Sequence, residues 1–501
     1  MGAQAGAARC VLGSARIMKR YLVQTFGCQM NVHDSRRIEE VLEAAGWEAT
    51  DEAAHADLVL FNTCSVREKA EHKLRSAVGW LRPLKDERPG LVIAVAGCVA
   101  QQEGEQLLRD IPHVDLVLGP DNIPELPALV ESIRDGAPPT ARTVFDLDTP
   151  QFLHAHPRSA GRREITAFVT VMKGCDERCS FCIVPLTRGP ERYRAADDIV
   201  REVRTLAQGG VREVTLLGQT VNSWYDPAAS DANGPLELRD KRRTDSHFAT
   251  LLRRIAAEVP ELLRLRYTSP HPRHITPSLL LAHAELPLLA KHVHLPVQSG
   301  SDRVLRRMLR RYTAEEYVSR ARALQSSCAG LTLSTDLIVG FPGETEEDFA
   351  ATLALVREVG FVAGFGFKYS PRPLTPSLAF GDDVPEAVKD ERLARLFAVV
   401  ETQQRAHLAS LVGGRAAVLV EGPSRDGGGR YAGRSERHEI VHVEPPAGVD
   451  PTGTLVTVEI VEAFKHSLLG RMERGVPLSV TPRAEKARVH LGVIGNDPSG
   501  S

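Results

Sequence analysis

The chain has 501 residues, 43% of them hydrophobic and 25% charged, with a formal net charge of −2. At roughly 100–200 residues per domain, this length implies about three domains with ordinary globular cores. The near-neutral balance excludes a global basic field, so nucleic-acid contact requires a local patch, and no apolar run reaches the ~20 residues of a membrane helix.

Residues 1–18 contain small and basic residues and no acid, and read as a disordered extension. From 19 to about 137, apolar runs alternate with helical patterns. Tyr21–Phe26, Asp57–Phe61, Leu91–Ala96 and Val114–Leu118 read as strands. Asp34–Ala45, Val66–Leu81 and Gln101–Arg109 read as helices, with Asp34 and Ser65 as N-caps. Such alternation predicts an α/β region with a doubly wound parallel sheet. Cys28, Cys64 and Cys98 each fall just beyond the carboxyl end of a different strand, the edge where open α/β sheets gather ligands. Three thiols distant in sequence are thereby expected to converge, and Gly27 and Gly97 allow close backbone approach.

Pro138, Pro139, Pro150 and Pro157 mark a linker. The rhythm then resumes with strands at Ala167–Met172, Glu213–Leu217, Leu263–Thr268, His292–Pro296, Thr332–Val339 and Gly364–Tyr369. Helices fill the intervals at Asp197–Gln208, His247–Ala257, Pro277–His283, Asp302–Arg310, Ala314–Gln325 and Glu346–Val359. Six such units predict a partial (β/α)6 barrel over about 161–405, with chemistry at the carboxyl ends of the strands. Directly after the first of these strands comes Lys173-Gly174-Cys175-Asp176-Glu177-Arg178-Cys179-Ser180-Phe181-Cys182. Three thiols on one short loop are soft ligands suited to an iron–sulfur cluster, and the spacing differs from zinc knuckles. Eight cysteines in so long a chain, with Cys10 and Cys328 read as incidental, are too sparse for a disulfide scaffold. With no secretory signal in view, a reducing cytoplasm is the expected compartment.

Gly218, Gln219, Gln298 and Gly340 fall at other strand ends of this barrel, on the edge that carries the thiol loop. His292 and His294 alternate with apolar neighbours and read as satisfied core histidines. Along the expected helix after Ser301, Arg303, Arg306, Arg307 and Arg310 form a stripe that suits a phosphate backbone. Asp226–Asp245 is a polar insertion. From about 408 to 475, Ala416–Val420, Glu439–Val443 and Leu455–Val461 alternate with glycine-rich turns and predict a small all-β module. A loose tail, 476–501, follows.

The thiol loop resembles the cluster loop of the radical S-adenosylmethionine superfamily. The first region resembles the amino-terminal domain of methylthiotransferases through Gly27-Cys28-Gln29-Met30-Asn31 with Asp34-Ser35, Asn62-Thr63-Cys64-Ser65-Val66-Arg67 and Ala96-Gly97-Cys98-Val99-Ala100-Gln101. The last module resembles the TRAM domain, a small RNA-binding barrel, through Val418-Leu419-Val420-Glu421-Gly422, Gly433-Arg434-Ser435 and Ser467-Leu468-Leu469-Gly470. Two departures stand out: His438 lies near a position where the family often has asparagine, and Leu374 stands where glycine is common.

The resemblance implies two 4Fe-4S clusters, one on Cys175, Cys179 and Cys182 and the other on Cys28, Cys64 and Cys98, each with one open iron. It further implies two S-adenosylmethionine molecules per product, with Gly218, Gln219, Gln298 and Gly340 holding one of them, and no catalytic residues beyond the cluster ligands. Residues around Cys28 look like those of the branch acting on isopentenyl-adenosine in the tRNA anticodon stem-loop. In that reaction an adenosyl radical removes hydrogen from the adenine carbon between the two pyrimidine nitrogens, and the base must leave its stack. Other branches act on threonylcarbamoyl-adenosine or a ribosomal-protein aspartate. A sulfur donor, an electron donor such as flavodoxin or ferredoxin, and a monomeric state are expected. The non-enzyme alternative is a two-cluster electron carrier or sensor with an RNA-binding tail.

Overall fold

A computed structural model describes residues 18–65, 68–145, 147, 152–153, 164–229, 246–425 and 427–472. Cys10 with the extension through residue 17, residues 230–245 of the insertion and the 476–501 tail lie outside the described residues. The chain forms two compact units, Met1–Phe145 and Asp146–Ser501.

In the first unit, β1 (Lys19–Phe26), β2 (Trp47–Ala49), β3 (Leu58–Thr63), β4 (Val92–Gly97), β5 (Leu116–Leu118) and β6 (Thr140–Arg142) form one sheet ordered β2-β1-β3-β4-β5-β6. Every neighbouring pair is parallel. β3 and β4 are buried along their whole length, so they read as unbroken apolar runs instead of alternating patterns. The two edge strands, three residues each and only partly covered, carry no such run and escape sequence reading. The first helix, Gln29–Ala44, begins five residues before the expected Asp34, because extended Cys28 caps it and Asn31 completes the capping box. Further on, Gly104 at φ +54° splits the expected third helix into Cys98–Glu103 and Glu105–Asp110.

The second unit opens with β7 (Thr166–Thr170), followed by a short antiparallel clip of β8 (Met172–Lys173) and β9 (Arg192–Tyr193). β10 (Glu213–Leu217), β11 (Arg264–Tyr267), β12 (His292–His294), β13 (Thr332–Val339) and β14 (Ala363–Lys368) follow, each after a helical segment. They form two parallel three-stranded sheets, β7-β10-β11 and β12-β13-β14. Leu265 joins the two by exchanging backbone hydrogen bonds with Leu288 and Ala290. Helices Ala196–Gln208, His247–Glu258, Pro277–Glu285, Ala314–Ser327 and Glu346–Val359 bury Val203, Phe248, Leu279, Tyr317 and Phe349 against the sheets in one core. A 25-residue helix, Glu386–Ser410, packs on β14 and completes this layer. The two strand histidines are satisfied: His292 bonds Thr332 and Ser334, and His294 bonds Ser334 and pairs with Asp336.

β15 (Arg415–Pro423), β16 (Tyr431–Ser435), β17 (Ile440–Glu444), β18 (Leu455–Ala463) and β19 (Ser467–Met472) close into a barrel ordered β15-β16-β17-β19-β18. Closure removes the sheet edges that a module this small would otherwise expose. The barrel docks on the amino-terminal ends of the parallel strands. Glu213 and Arg264, the first residues of β10 and β11, lie there with Arg266. Arg264 donates to the carbonyls of Arg434 and Ala417, Arg266 donates to that of Ser435, and Glu213 pairs with both arginines. His292 stacks on His438 at 5.6 Å, and Leu419 packs with Ile165 and Leu263. The opposite, carboxyl-terminal edge carries the thiol loop.

Candidate metal-cluster site

Each thiol triplet is positioned by a different device. In the first unit, the register pairs Phe26 with Thr63 and Thr63 with Gly97, so three adjacent strands end level. Cys28, Cys64 and Cys98 follow these residues by one or two positions and share one sheet edge. Cys64 and Cys98 are buried and Cys28 half-buried. Beneath them lies a buried amide network. Cys28 Sγ donates to Asn31 Oδ1 at 3.4 Å, Asn31 Nδ2 donates to Asn62 Oδ1 at 3.1 Å, and Asn62 Nδ2 donates to the Asn31 carbonyl and Ser35 Oγ. Gly97, at φ +92°, admits no side chain, since a Cβ would stand 2.3 Å from Asn62 Oδ1. The hydroxyls of Thr63 and Ser65, at the same edge, are buried without a partner among the described residues. A thiol-only donor set beside orphaned hydroxyls fits an iron–sulfur cluster.

In the second unit the triplet sits on the loop leaving β8. Gly174, at φ +79°, lies so close to the Gly189-Pro190 backbone that a Cβ would stand 1.9 Å from the Pro190 carbonyl oxygen. Cys175 N donates to Gly189 O at 3.1 Å, and Asp176 and Glu191 exchange two further bonds. Ser180 then stitches the loop onward: its N donates to Met308 O, its Oγ to Arg307 O, and its carbonyl accepts from Ser377 N. Phe181 packs edge-on against Phe341 at 6.5 Å. Glu177 is anchored by Arg273 and His274; burial works against its ionisation, yet these two partners hold its carboxyl below the usual range. Cys175 and Cys179 are buried and Cys182 half-buried. Burial pushes the Cys175 thiol up, with the Thr220 hydroxyl at 3.1 Å only partly offsetting it. Metal ligation would make such a thiol ionise, because a coordinating sulfur binds as the thiolate and its proton is released to solvent.

The four residues expected to hold a nucleoside cofactor share the edge of this loop. Gly218 and Gln219 follow β10, and the Gln219 Oε1 is buried with no partner among the described residues. Gln298 lies beyond β12 at φ +74°, fixed by backbone bonds with Asp336 and Ile338. Gly340 follows β13 at φ +68°, and its N donates to Glu344 Oε2 at 2.7 Å. Burial raises Glu344 to about 7 despite its bond from Arg392.

The arginine stripe is the expectation that the structure corrects. The helix ends at Arg307 instead of Arg310, and Leu309 and Arg311 take positive φ of 58° and 55°. Arg310 therefore leaves the helical face and turns inward, 6% exposed, to donate to Cys179 Sγ at 3.3 Å. It has no surface left for a phosphate backbone. Arg303 is exposed but paired with Asp348, Arg306 is exposed, and Arg307 lies over the Phe380 ring at 4.7 Å. Sequence reading also missed the Asn31–Asn62 pair, Thr220 and the Arg273/His274 anchor. Of these only Asn31 and Asn62 carried a signal, as polar residues three positions after Cys28 and two before Cys64.

Residues 20–119 match the family described as Uncharacterized protein family UPF0004, and residues 169–356 match the Radical SAM superfamily. Over 477 residues the chain is 60% identical to the tRNA-2-methylthio-N(6)-dimethylallyladenosine synthase of Sorangium cellulosum (strain So ce56), covering 93% of this chain and 96% of that protein. It is 44% identical to the protein of the same name from Acidithiobacillus ferrooxidans (strain ATCC 53993 / BNL-5-31), covering 92% and 99%. Parallel strands ending on a Cys-x3-Cys-x2-Cys loop, within the matched superfamily, define a radical S-adenosylmethionine enzyme. The chain belongs to the tRNA-2-methylthio-N(6)-dimethylallyladenosine synthase family.

Proposed function

We propose that this enzyme converts isopentenyl-adenosine beside the tRNA anticodon to its 2-methylthio derivative. The observation that carries the reading is the pair of thiol triplets, each at the carboxyl edge of parallel strands, in a chain matching its relatives nearly end to end. Cys175, Cys179 and Cys182 would hold one 4Fe-4S cluster, and Cys28, Cys64 and Cys98 a second. When bound, the first supplies the electron that cleaves S-adenosylmethionine, and the second supplies the sulfur that receives a methyl group from another molecule of that cofactor.

The chain's own residues do the positioning. Gly174 and Ser180 fix the thiol loop, while Gly218, Gln219, Gln298 and Gly340 line the edge where S-adenosylmethionine would lie. The six parallel strands are read as a partial (β/α)6 barrel over 161–405, the closed five-stranded barrel over 408–475 as a TRAM-type RNA-binding module, and 19–137 as the methylthiotransferase amino-terminal domain. Arg303, Arg306 and Arg307 remain candidates for phosphate contact; Arg310 does not. A flavodoxin or ferredoxin as electron donor, a separate sulfur donor, a cytoplasmic site of action and a monomeric enzyme complete the reading. Among the described residues no helix is long and apolar enough to cross a membrane.

Nucleoside mass spectrometry of tRNA from a strain lacking the gene tests the reading. The 2-methylthio mark should disappear and return with the wild-type gene. Anaerobically purified protein should carry about eight irons. Cys64→Ala should still cleave S-adenosylmethionine but make no methylthio product, whereas Cys179→Ala should do neither. Persistence of the tRNA mark, with loss of the mark on a ribosomal protein, would move the chain to another branch. Reconstituted protein that cannot cleave S-adenosylmethionine would favour the electron carrier.

A further inference from the structure

Arg310 is a buried cation without a carboxylate. Its Nε donates to the Tyr312 hydroxyl at 2.9 Å, its Nη2 to the Pro296 carbonyl at 3.0 Å and its Nη1 to Cys179 Sγ at 3.3 Å. Its guanidinium also lies over the Tyr312 ring at 5.3 Å. Among the described residues no acidic side chain pairs with it, unlike buried Arg194, Arg264, Arg266 and Arg392, which pair with Glu202, Glu213, Glu213 and Glu344. An unpaired charge in such a place is strongly unfavourable, and buried charges are normally balanced by an opposite charge or a metal site. Of its described hydrogen-bond partners, Tyr312, Pro296 and Cys179, the one that would carry the opposite charge once metal is bound is the Cys179 thiolate. On the other side of the loop, the Thr220 hydroxyl lies 3.1 Å from Cys175 Sγ. Cys175 and Cys179 thus each have a hydrogen-bond partner, and the partner of Cys179 is a full positive charge.

We propose that Arg310 is a positioning residue for the radical S-adenosylmethionine cluster, holding the Cys179 thiolate and raising the cluster's reduction potential. The inference rests on the cluster assignment made above for Cys175, Cys179 and Cys182. Adding an electron makes the cluster more negative, so a nearby fixed cation stabilises the reduced form more than the oxidised form. Arg310 thereby keeps a low-potential centre within reach of its electron donor. Guanidinium suits this role because it stays charged when buried and presents several donors in a rigid plane, so it can bind the sulfur, Tyr312 and Pro296 at once. The break of the helix at Arg307 is what delivers it: at the expected helical register this side chain would face outward.

The test uses the full-length chain with Cys28, Cys64 and Cys98 changed to alanine, so that one cluster reports. After anaerobic reconstitution, iron content shows whether the cluster is present. Its midpoint potential is then read by electron paramagnetic resonance during a dithionite titration, without S-adenosylmethionine. Arg310→Met should shift the potential downward, Arg310→Lys should recover most of the shift, and Thr220→Val should give a smaller downward shift. If Arg310→Met fails to fold, judged by its thermal transition, Arg310→Gln against Arg310→Lys gives the same comparison. An unchanged potential at full iron content would overturn the proposal, and so would equal shifts in the lysine and neutral variants. If the parent protein itself binds no iron, the cluster assignment falls instead, before Arg310 enters the comparison.

Discussion

His283, on a helix, and Arg310, just beyond the end of one, are both polar side chains that the fold buries, each for a different reason. His283 is 4% exposed, and its Nε2 pairs with the Tyr267 hydroxyl at 2.6 Å inside the core. Burial lowers its pKa to about 4, so the folded state holds it neutral while the unfolded chain binds a proton near 6.5. Its contribution is complete above pH 6.5 and is lost as pH falls toward 4, a loss on the order of 3 kcal/mol. His283→Gln keeps an acceptor for Tyr267 but cannot titrate. The fall of the thermal midpoint between pH 6.5 and 4 should therefore be shallower in this variant than in wild type. Leu374 and His438, the two departures from the family pattern, also become intelligible at this scale. Both take positive φ, 63° and 78°, where glycine and asparagine are the residues of least strain. The sequence shows the departures; only the backbone shows what they have in common.

Among the elements, the helix Glu346–Val359 governs the loop after β13. Thr345 caps it through Asp348 N, and Asp348 returns a bond to Thr345 N at 2.8 Å, a complete capping box. The same Asp348 accepts from Ser301 Oγ, itself the cap of Asp302–Arg307, so two helix starts share one carboxylate. Thr345→Ala should cost about 1 kcal/mol and speed amide exchange at 346–349, whereas Thr345→Ser should stay near wild type. Hydrogen exchange read by mass spectrometry checks both. Elements with a strong period or a buried apolar run were legible: β10, β13 and the helix Glu346–Val359 stand where their patterns put them. The two short edge strands were missed and the helix Gln29–Ala44 was misjudged at its start, because a three-residue edge and a cysteine cap carry no periodic signal.

Across the second unit, the closed β-barrel is joined to the parallel strands through ion pairs and backbone carbonyls. Glu213, 6% exposed at its side chain, depends on Arg264 and Arg266 together. Arg266→Met removes one partner of a buried carboxylate and should cost about 3 kcal/mol. The expected readout is a lower thermal midpoint and faster proteolytic cutting near 411–414, the turn between the last helix and β15. Unchanged protease resistance would show that Arg264, the His292–His438 stack and the Ile165–Leu263–Leu419 contact hold the junction without Arg266. At this scale the six cysteines were the most legible feature, since strand-end placement follows from the alternation of strand and helix and thiolate chemistry follows from spacing.

Local order along the chain was enough to establish the α/β rhythm, the two thiol triplets and the all-β end. These rest on periodicity and short-range spacing, which sequence carries directly. The fate of the arginines was settled by tertiary structure, because two positive-φ residues after Arg307 redirect a side chain that helical spacing would place outside. Tertiary structure likewise decided which polar groups lie beneath the sulfurs, since Asn31 and Asn62, or Arg310 and Cys179, meet only when distant segments pack and exclude water.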